Sequence, residues 1–189
     1  IEFHLPGQHN VMNALAAIAM ADVFGISLKN IKQSLYTFKG VKRRFSYKIK
    51  TENFVLIDDY AHHPTEISVV ESAVREMYPN EKVLVVFQPH LFSRTKDFID
   101  DFASELSKFD EVLLLDIYAA REEPIEGVNS KWLLNKLTQK NKKLTQKNNL
   151  VKDIKNSSVK VVVMLGAGDI GVAINEVVDE LLSTNEYEV

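Results

Sequence analysis

The sequence predicts an α/β fold: a doubly wound, mostly parallel sheet preceded by a short helical piece. Two observations lead to this expectation. Residues 82–87 and 111–116 are continuous apolar runs, which is typical of parallel strands covered by helices on both faces. Between them, residues 97–109 repeat their apolar positions at helical spacing, as in a strand-helix-strand unit. In such sheets the loops at the carboxyl ends of the strands hold the ligands.

Two helices are expected before the first strand, over residues 10–24 and about 28–38. Gly25 is placed to end the first helix, and Ser27 is placed to cap the second. Both helices carry more apolar residues than a free-standing pair would. A basic run follows them, so we expect a domain boundary at residues 38–41.

The boundary separates a helical domain, residues 1–40, from an α/β domain, residues 41–189. Further elements of the α/β domain are expected in this order: a hairpin of residues 45–50 and 54–58, a helix opening at Pro64, a strand over 159–165 and a helix over 169–182. Residues 136–149 contain the hexapeptide Lys-Leu-Thr-Gln-Lys-Asn twice, and two copies are too few for a solenoid. We predict that this stretch is a polar, mobile insertion or a surface helix.

The composition excludes several classes of protein. The 189 residues are 46% hydrophobic with a net charge of −3, as in ordinary soluble globular proteins. The absence of cysteine excludes disulfides and thiolate metal sites and fits a reducing compartment. The mild acidity removes the electrostatic argument for nucleic acid as the main partner. No apolar run approaches the roughly 20 residues of a membrane span and no signal peptide opens the chain, so small ligands or other proteins remain.

Polar side chains collect in four loops that follow predicted strands, and the topology places these loops at one edge of the sheet. The loops are residues 58–66, 88–95, 117–124 and 166–171. The first crowds acids, imidazoles and a phenol between a strand and a helix. For His62 and His63 the alternative to a ligand role is hydrogen bonding at the helix start. No metal site is expected in this chain, because adjacent residues rarely point into one coordination sphere and no His-x-x-x-His spacing occurs.

The second loop presents Arg94 just before a helix, flanked by two hydroxyl side chains. A cation at this place is suited to hold a carboxylate or a phosphate. The alternative is that Arg94 makes a surface ion pair while Ser93 or Thr95 caps the helix. The sequence alone leaves both readings open.

Residues 166–171 match the pattern G-x-G-x-x-G between a strand and a helix. No ribose-binding acid follows roughly 20 residues further on, so a nicotinamide site is not expected. We predict instead a tight turn in which Gly166, Gly168 and Asp169 leave backbone N–H groups free for an anion.

Asn10 and Asn13 are three residues apart and therefore share one face of the first helix. Their carboxamides would offer a donor and an acceptor to a purine edge. The alternative is that Asn10 only caps the helix.

Taken together, these segments resemble the Mur ligases of peptidoglycan synthesis. The matching strings are residues 7–17, 40–45, 58–66, 87–91 with 93–95, 118 with 120–124, and 166–170. They keep the family's order over most of the chain, which makes the match more specific than any one motif. Residues 40–45 and 58–66 are similar to those of the alanine-adding members.

The resemblance implies a bacterial cytoplasmic enzyme that uses ATP and Mg²⁺ to join L-alanine to UDP-N-acetylmuramate through an acyl phosphate. Residues 1–40 would be the helical tail of the central ATP-binding domain. Residues 41–189 would be a Rossmann-like C-terminal domain that binds the amino acid and the nucleotide. The Mg²⁺ ligands are expected to lie outside this chain.

The resemblance also implies roles for single residues. In the nucleotide site, Asn10 and Asn13 would meet the adenine. Arg44 would meet the phosphates, and Asp59 the ribose side.

In the alanine site, the implied residues are Tyr60, His62 and Arg94, with Arg94 the partner of the alanine carboxylate. Leu91 stands where some relatives carry a second basic residue, so that carboxylate would rest on Arg94 with help from the backbone.

One departure from the family bears on activity. None of the seven glycines is followed by lysine, so the G-x-x-x-x-G-K-[ST] phosphate loop is absent from this sequence. We therefore expect a fragment that neither ligates alanine nor hydrolyses ATP by itself. A self-standing nucleotide-binding module and an interaction domain on the same fold are the alternatives.

Overall fold

The computed structural model describes residues 2–5 and 7–183. They form one sheet of six strands flanked by helices, and the strand order is β1-β2-β6-β3-β4-β5. The strands are β1 (Ser46–Lys50), β2 (Val55–Asp59), β3 (Val83–Phe87), β4 (Glu111–Leu114), β5 (Asn141–Leu144) and β6 (Val161–Leu165). Only the β1–β2 pairing is antiparallel, as the predicted hairpin requires. The predicted α/β class with a mostly parallel sheet is confirmed.

Eight α-helices and one short 3₁₀ helix, Lys147–Asn149, are seen in the described part of the chain. The α-helices are α1 (Gln8–Val23), α2 (Leu28–Thr37), α3 (Pro64–Met77), α4 (Phe92–Asp97), α5 (Ile99–Leu106), α6 (Ser130–Lys136), α7 (Leu150–Ser157) and α8 (Ile170–Ser183). Among the residues described, no helix has both the length and the apolar character needed to cross a membrane.

The core has two layers because alternate strand residues point to opposite faces of the sheet. On one face Val85, Phe87 and Val163 pack with helices α3 and α5. On the other face Val86 and Val162 pack with helices α7 and α8. The central strands β2, β3 and β6 are buried along their whole length, which explains why their sequences are continuously apolar.

Helices α1 and α2, which we call the helical pair, differ from the other helices in their burial. Helix α1 has no buried residue, and α2 buries only Ile31. Large apolar side chains such as Val23 and Phe24 are 80% and 76% exposed. The Ser27 side chain accepts a hydrogen bond from the Asn30 N–H at 3.3 Å, so the predicted cap is confirmed.

Residues 136–149 were predicted to be a mobile insertion or a surface helix, and this prediction is wrong. They contain the edge strand β5, which pairs in parallel with β4. Lysine and asparagine suggested a loop, but charged side chains are normal on edge strands because they discourage pairing with another chain. Leu144 packs against the core and supplies the apolar contact that a strand needs.

The helix predicted over residues 97–109 is also different in the structure. Helix α4 begins earlier, at Phe92, and ends at Asp97. Phe98 then leaves helical geometry with φ −115° and ψ 25°, and α5 begins at Ile99. The break lets the chain turn from the strand-end loop into the core-covering helix, and a periodicity count does not detect such a break.

Candidate active site

The four predicted loops meet at the carboxyl ends of neighbouring strands. The loop after β3 pairs with the loop after β4: the Leu91 N–H donates to the Tyr118 carbonyl at 2.9 Å, and the Tyr118 N–H donates to the Pro89 carbonyl at 2.8 Å. The loop after β6 joins the end of β2, where the Gly166 N–H donates to the Asp59 carbonyl at 3.3 Å. The convergence that topology predicted is therefore present.

The three residues predicted for the alanine site are connected through a fourth residue, His90. The Tyr60 and His62 rings have centroids 5.3 Å apart, and His62 and His90 have centroids 5.8 Å apart. Arg94 Nη1 lies 3.4 Å from Nδ1 of His90. His90 also stacks on Tyr118, with ring centroids at 5.6 Å. We call these five residues the strand-end cluster.

His90 lies in the second predicted loop, and no role was predicted for it from the sequence. A guanidinium N–H can only donate, so Nδ1 of His90 accepts from Arg94, and the proton of a neutral ring lies on Nε2. Burial, Arg94 and His62 all lower the pKa of His90, which favours this neutral ring. Its position in the same strand-end loop as Arg94 was the signal available in the sequence.

Arg94 is half-buried and has no carboxylate within ion-pair distance among residues 2–5 and 7–183. The alternative of a surface ion pair therefore finds no support in the described structure. The next residue, Thr95, has a structural role: it is fully buried, and its Oγ1 donates to the Leu91 carbonyl at 2.8 Å. Apart from its contact with His90, the guanidinium has no ion-pair partner among the described residues, and it is suited to meet a carboxylate from outside the chain.

Glu122 is a second residue that the sequence analysis did not assign. Its carboxylate accepts hydrogen bonds from the backbone N–H of Ser93, at 2.9 Å, and from the Ser93 hydroxyl. These bonds lower the pKa of Glu122. They tie the loop of residues 117–124 to the first turn of α4, which carries Arg94.

The two adjacent histidines have different surroundings. His63 caps helix α3, because its Nδ1 accepts from the Thr65 N–H at 3.4 Å and Glu66 completes a capping box. For His63 the alternative of helix-start hydrogen bonding is therefore right. His62 Nδ1 lies 2.9 Å from the Tyr60 carbonyl and 3.3 Å from Glu66 Oε2, and its ring faces His90.

Three of the four predicted nucleotide residues line one cavity of about 610 Å³. Asn10 and Asn13 reach it from α1, and Arg44 reaches it from the segment before β1. Leu35 and Phe38 contribute apolar wall. This volume and this mixture of apolar walls with a few polar groups are typical of small-molecule sites.

The fourth predicted nucleotide residue, Asp59, does not line this cavity. Its side chain is only 6% exposed, and its two carboxylate oxygens accept from the backbone N–H groups of Phe45, at 2.7 Å, and Ala61, at 2.8 Å. Burial raises the pKa of Asp59, and the two backbone hydrogen bonds oppose that rise. Asp59 thus joins the backbone at Phe45, before β1, to the backbone at Ala61, after β2. Its contact with ribose stays a prediction.

In the predicted anion loop, several backbone N–H groups already donate within the protein. Besides Gly166, Ile170 donates to Gln88 Oε1 at 3.0 Å, and Gly171 donates to the Gly168 carbonyl at 3.3 Å. The Asp169 carboxylate accepts from Gln88 Nε2 at 2.7 Å and from Lys147. An anion would have to use the remaining N–H groups of this loop, so the anion site stays a prediction.

The glycines of that loop have a packing reason. A Cβ on Gly168 would lie 2.5 Å from Gln88 Oε1 and 2.6 Å from the Tyr118 ring. Gly166 has φ +149°, and its Cβ would lie 2.9 Å from the Gln88 carbonyl. Glycine allows this close approach of three loops.

Within the described ranges there is no group of three or more His, Asp or Glu side chains that could hold a metal ion. Mg²⁺ in nucleotide sites is usually held by one or two carboxylates together with the phosphates, so the expectation that its ligands lie outside this chain stays a prediction.

Comparisons with known proteins show which family this chain resembles. Residues 43–181 match the family model of the Mur ligase, glutamate ligase domain. The UDP-N-acetylmuramate–L-alanine ligase of Christiangramia forsetii is 63% identical over 182 residues, which cover 96% of this chain and 40% of that protein. The ligase of the same name from Flavobacterium psychrophilum is 62% identical over 181 residues, with the same coverage.

A solved structure of the same family is similar to this chain as well. The crystal structure of the UDP-N-acetylmuramate-alanine ligase of Thermotoga maritima matches with a TM-score of 0.80 and 33% identity, over 96% of this chain and 40% of that one. The chain thus spans about 40% of the length of these curated relatives. With the family model covering most of the sequence, the chain belongs to the Mur ligase family.

Proposed function

We propose that this chain is the amino-acid-binding part of an ATP-dependent ligase that adds L-alanine to UDP-N-acetylmuramate in the bacterial cytoplasm. The observation that carries the proposal is the contact of Tyr60 and His62 with Arg94 through His90. Two relatives more than 60% identical bear the name of this activity, which supports the choice of substrate.

Arg94 has the central role in the proposed alanine site. Its guanidinium pairs with the alanine carboxylate, and this pairing fixes the direction of the amine. Tyr60 and His62 form the wall of the proposed alanine site opposite Arg94. Once the ammonium has lost one proton to solvent, the neutral amine attacks the carbonyl carbon of the acyl phosphate. The C–N bond forms, the carbon–oxygen bond to phosphate breaks, and the departing phosphate takes the bonding electron pair while a second amine proton passes to solvent.

The nucleotide cavity supplies the second part of the proposal. Asn10 and Asn13 present amide donors and acceptors to the adenine, and Arg44 brings positive charge for the phosphates. The sequence lacks the phosphate loop. We propose that the phosphate loop and the Mg²⁺ ligands belong to another part of the ligase, so this chain alone releases no phosphate from ATP.

A chimera tests the proposal. In it, this sequence replaces the matching region of the Christiangramia forsetii ligase, and phosphate release is measured with ATP, UDP-N-acetylmuramate and one amino acid at a time. We expect turnover that depends on L-alanine, with glycine and L-serine as the matched comparisons. Turnover that is independent of the amino acid, or its complete loss in an otherwise folded chimera, would contradict the proposal.

A further inference from the structure

Arg43 lies beside the strand-end cluster and has no role in the proposed function described so far. Its side chain is 23% exposed, and Nε donates to Asp58 Oδ1 at 3.2 Å. Asp58 is itself 2% exposed and sits at the end of β2, one residue before Asp59. Together with Lys48, whose Nζ lies 3.8 Å from Asp58 Oδ2, Arg43 therefore offsets a buried negative charge, which is costly to leave unpaired.

The same guanidinium reaches the loop after β6. Its Nη2 donates to the Gly166 carbonyl at 2.5 Å. A Cβ on Gly171 would lie 2.5 Å from Nη1 and 2.6 Å from Cζ, so the first turn of α8 leaves room for this arginine only because residue 171 is glycine. Arg43 thus fills the space between the end of β2 and the start of α8.

Arg43 also contacts Tyr60 in two ways. Its Cζ lies 5.1 Å from the centroid of the Tyr60 ring, which is the geometry of a cation–π contact. Its backbone carbonyl accepts from the Tyr60 N–H at 2.8 Å. The Tyr60 ring is 40% exposed, so the arginine and the His62 ring are what define its direction.

We propose that Arg43 is a positioning residue for the amino-acid subsite, which it serves by holding the Tyr60 ring against His62 while its guanidinium is fixed by Asp58 and Gly166. This inference rests on the proposed function, because Tyr60 belongs to the alanine site. It separates two neighbouring arginines: Arg44 lines the nucleotide cavity, whereas Arg43 acts on the amino-acid side.

Two variants of the chimera test this role by different routes. Arg43→Lys keeps the positive charge but loses the planar group that bonds to Asp58 and Gly166 and stacks on Tyr60. Gly171→Ala keeps arginine at position 43 but forces its guanidinium to move, and the moving atoms are the far end of a flexible side chain. The second variant thus displaces the arginine without removing the charge that compensates Asp58.

Arg75→Lys is the matched control. Arg75 pairs with Glu71 and Asp110 and donates to the carbonyls of Glu81 and Lys108, so its guanidinium has four polar partners where that of Arg43 has two. It lies on α3 and contacts no residue of the strand-end cluster in these interactions. A loss of stability alone would appear equally in this control.

The kinetic measurement compares the KM for alanine with the KM for ATP. We expect Arg43→Lys and Gly171→Ala to raise the alanine KM by about tenfold, with the ATP KM changed by less than about twofold, and we expect no such split for Arg75→Lys. Equal changes in both constants, or an alanine KM that stays at the wild-type value, would overturn the proposal.

The second measurement does not depend on catalysis. This measurement uses the same variants made in the 189-residue chain, which has six tyrosines; ¹³C labelling of the tyrosine rings therefore gives few signals, and Tyr60→Phe identifies the one from Tyr60. We expect the Tyr60 signal to shift in Arg43→Lys and in Gly171→Ala and to stay in place in Arg75→Lys. An unmoved Tyr60 signal overturns the positioning role even if alanine turnover is established, whereas a shifted signal supports it even if alanine proves to be the wrong substrate.

Discussion

The strand-end cluster and the helical pair bind ligands, in our proposals, under opposite structural conditions. The cluster is built on strands whose residues are fully buried, and each loop is bonded to its neighbour. The helical pair has one buried residue, Ile31, and a largely exposed apolar surface. From this difference we infer that the proposed amino-acid subsite is held in place by the sheet and its loops, whereas the proposed nucleotide subsite lies on a much less buried part of the described structure.

The largest expected difference between the two regions is in stability. Phe102 is fully buried between α5 and the sheet, whereas Phe24, at the end of α1, is 76% exposed. Phe102→Ala should lower the free energy of unfolding by about 3–5 kcal/mol, because it removes core contacts and leaves a cavity. Phe24→Ala should change it by no more than about 0.5 kcal/mol. Chemical denaturation of this chain measures both, and similar losses would show that the helical pair is part of the same cooperative core.

The next effect is on alanine binding in the chimera. Arg94→Ala should raise the alanine KM by roughly 30-fold, equivalent to about 2 kcal/mol, because it removes the only proposed charge partner of the carboxylate. Arg121→Ala is the control, since Arg121 is exposed in the loop of residues 117–124 at the same sheet edge. If the two variants behave alike, the effect comes from the general positive potential and not from a specific pair.

A smaller effect is expected in the nucleotide cavity. Asn13→Ala in the chimera should raise the ATP KM by about tenfold through the loss of one or two hydrogen bonds, while the alanine KM stays nearly constant. Gln33 on α2 does not line this cavity, so Gln33→Ala should leave both constants unchanged. Should Asn13→Ala instead change the alanine KM, the two halves of the site would not be separate.

The smallest effect concerns the hydrogen bonds from Ser93 to Glu122, which link the loop of residues 88–95 to the loop of residues 117–124. The pKa of Glu122 lies below its ordinary value of 4.5, so the folded state favours the charged carboxylate. Its stabilising contribution is therefore present above about pH 4.5 and is lost as the pH falls through the lowered folded pKa. The Tm deficit of Glu122→Gln should be largest near pH 7 and should shrink toward pH 3. Glu123→Gln, at an exposed neighbouring position, should show no such trend, and a pH-independent deficit in Glu122→Gln would contradict this link.

The sequence predicted the central strands of the sheet well, because a strand that is buried on both faces of a sheet has a continuously apolar sequence. Strands β2, β3 and β6 are examples, and the loops that follow them meet as topology requires. Strand β5 escaped prediction because it is an edge strand, whose exposed lysines resemble those of a loop.

The site was predicted less completely, for a related physical reason. Residue types and their place at strand ends indicated Tyr60, His62 and Arg94, but contacts between loops distant in sequence have no local pattern. The bond from Arg94 to His90 and the bonds from Ser93 to Glu122 could be seen only in three dimensions.

The central claim is that Arg94, Tyr60 and His62 surround one amino acid. The most direct test is a crystal structure of the chimera with L-alanine and a non-hydrolysable ATP analogue. The account predicts an alanine carboxylate within about 3 Å of the Arg94 guanidinium, with the amino acid against the Tyr60 and His62 rings. An alanine carboxylate bound at another side chain, with Arg94 facing solvent, would contradict it.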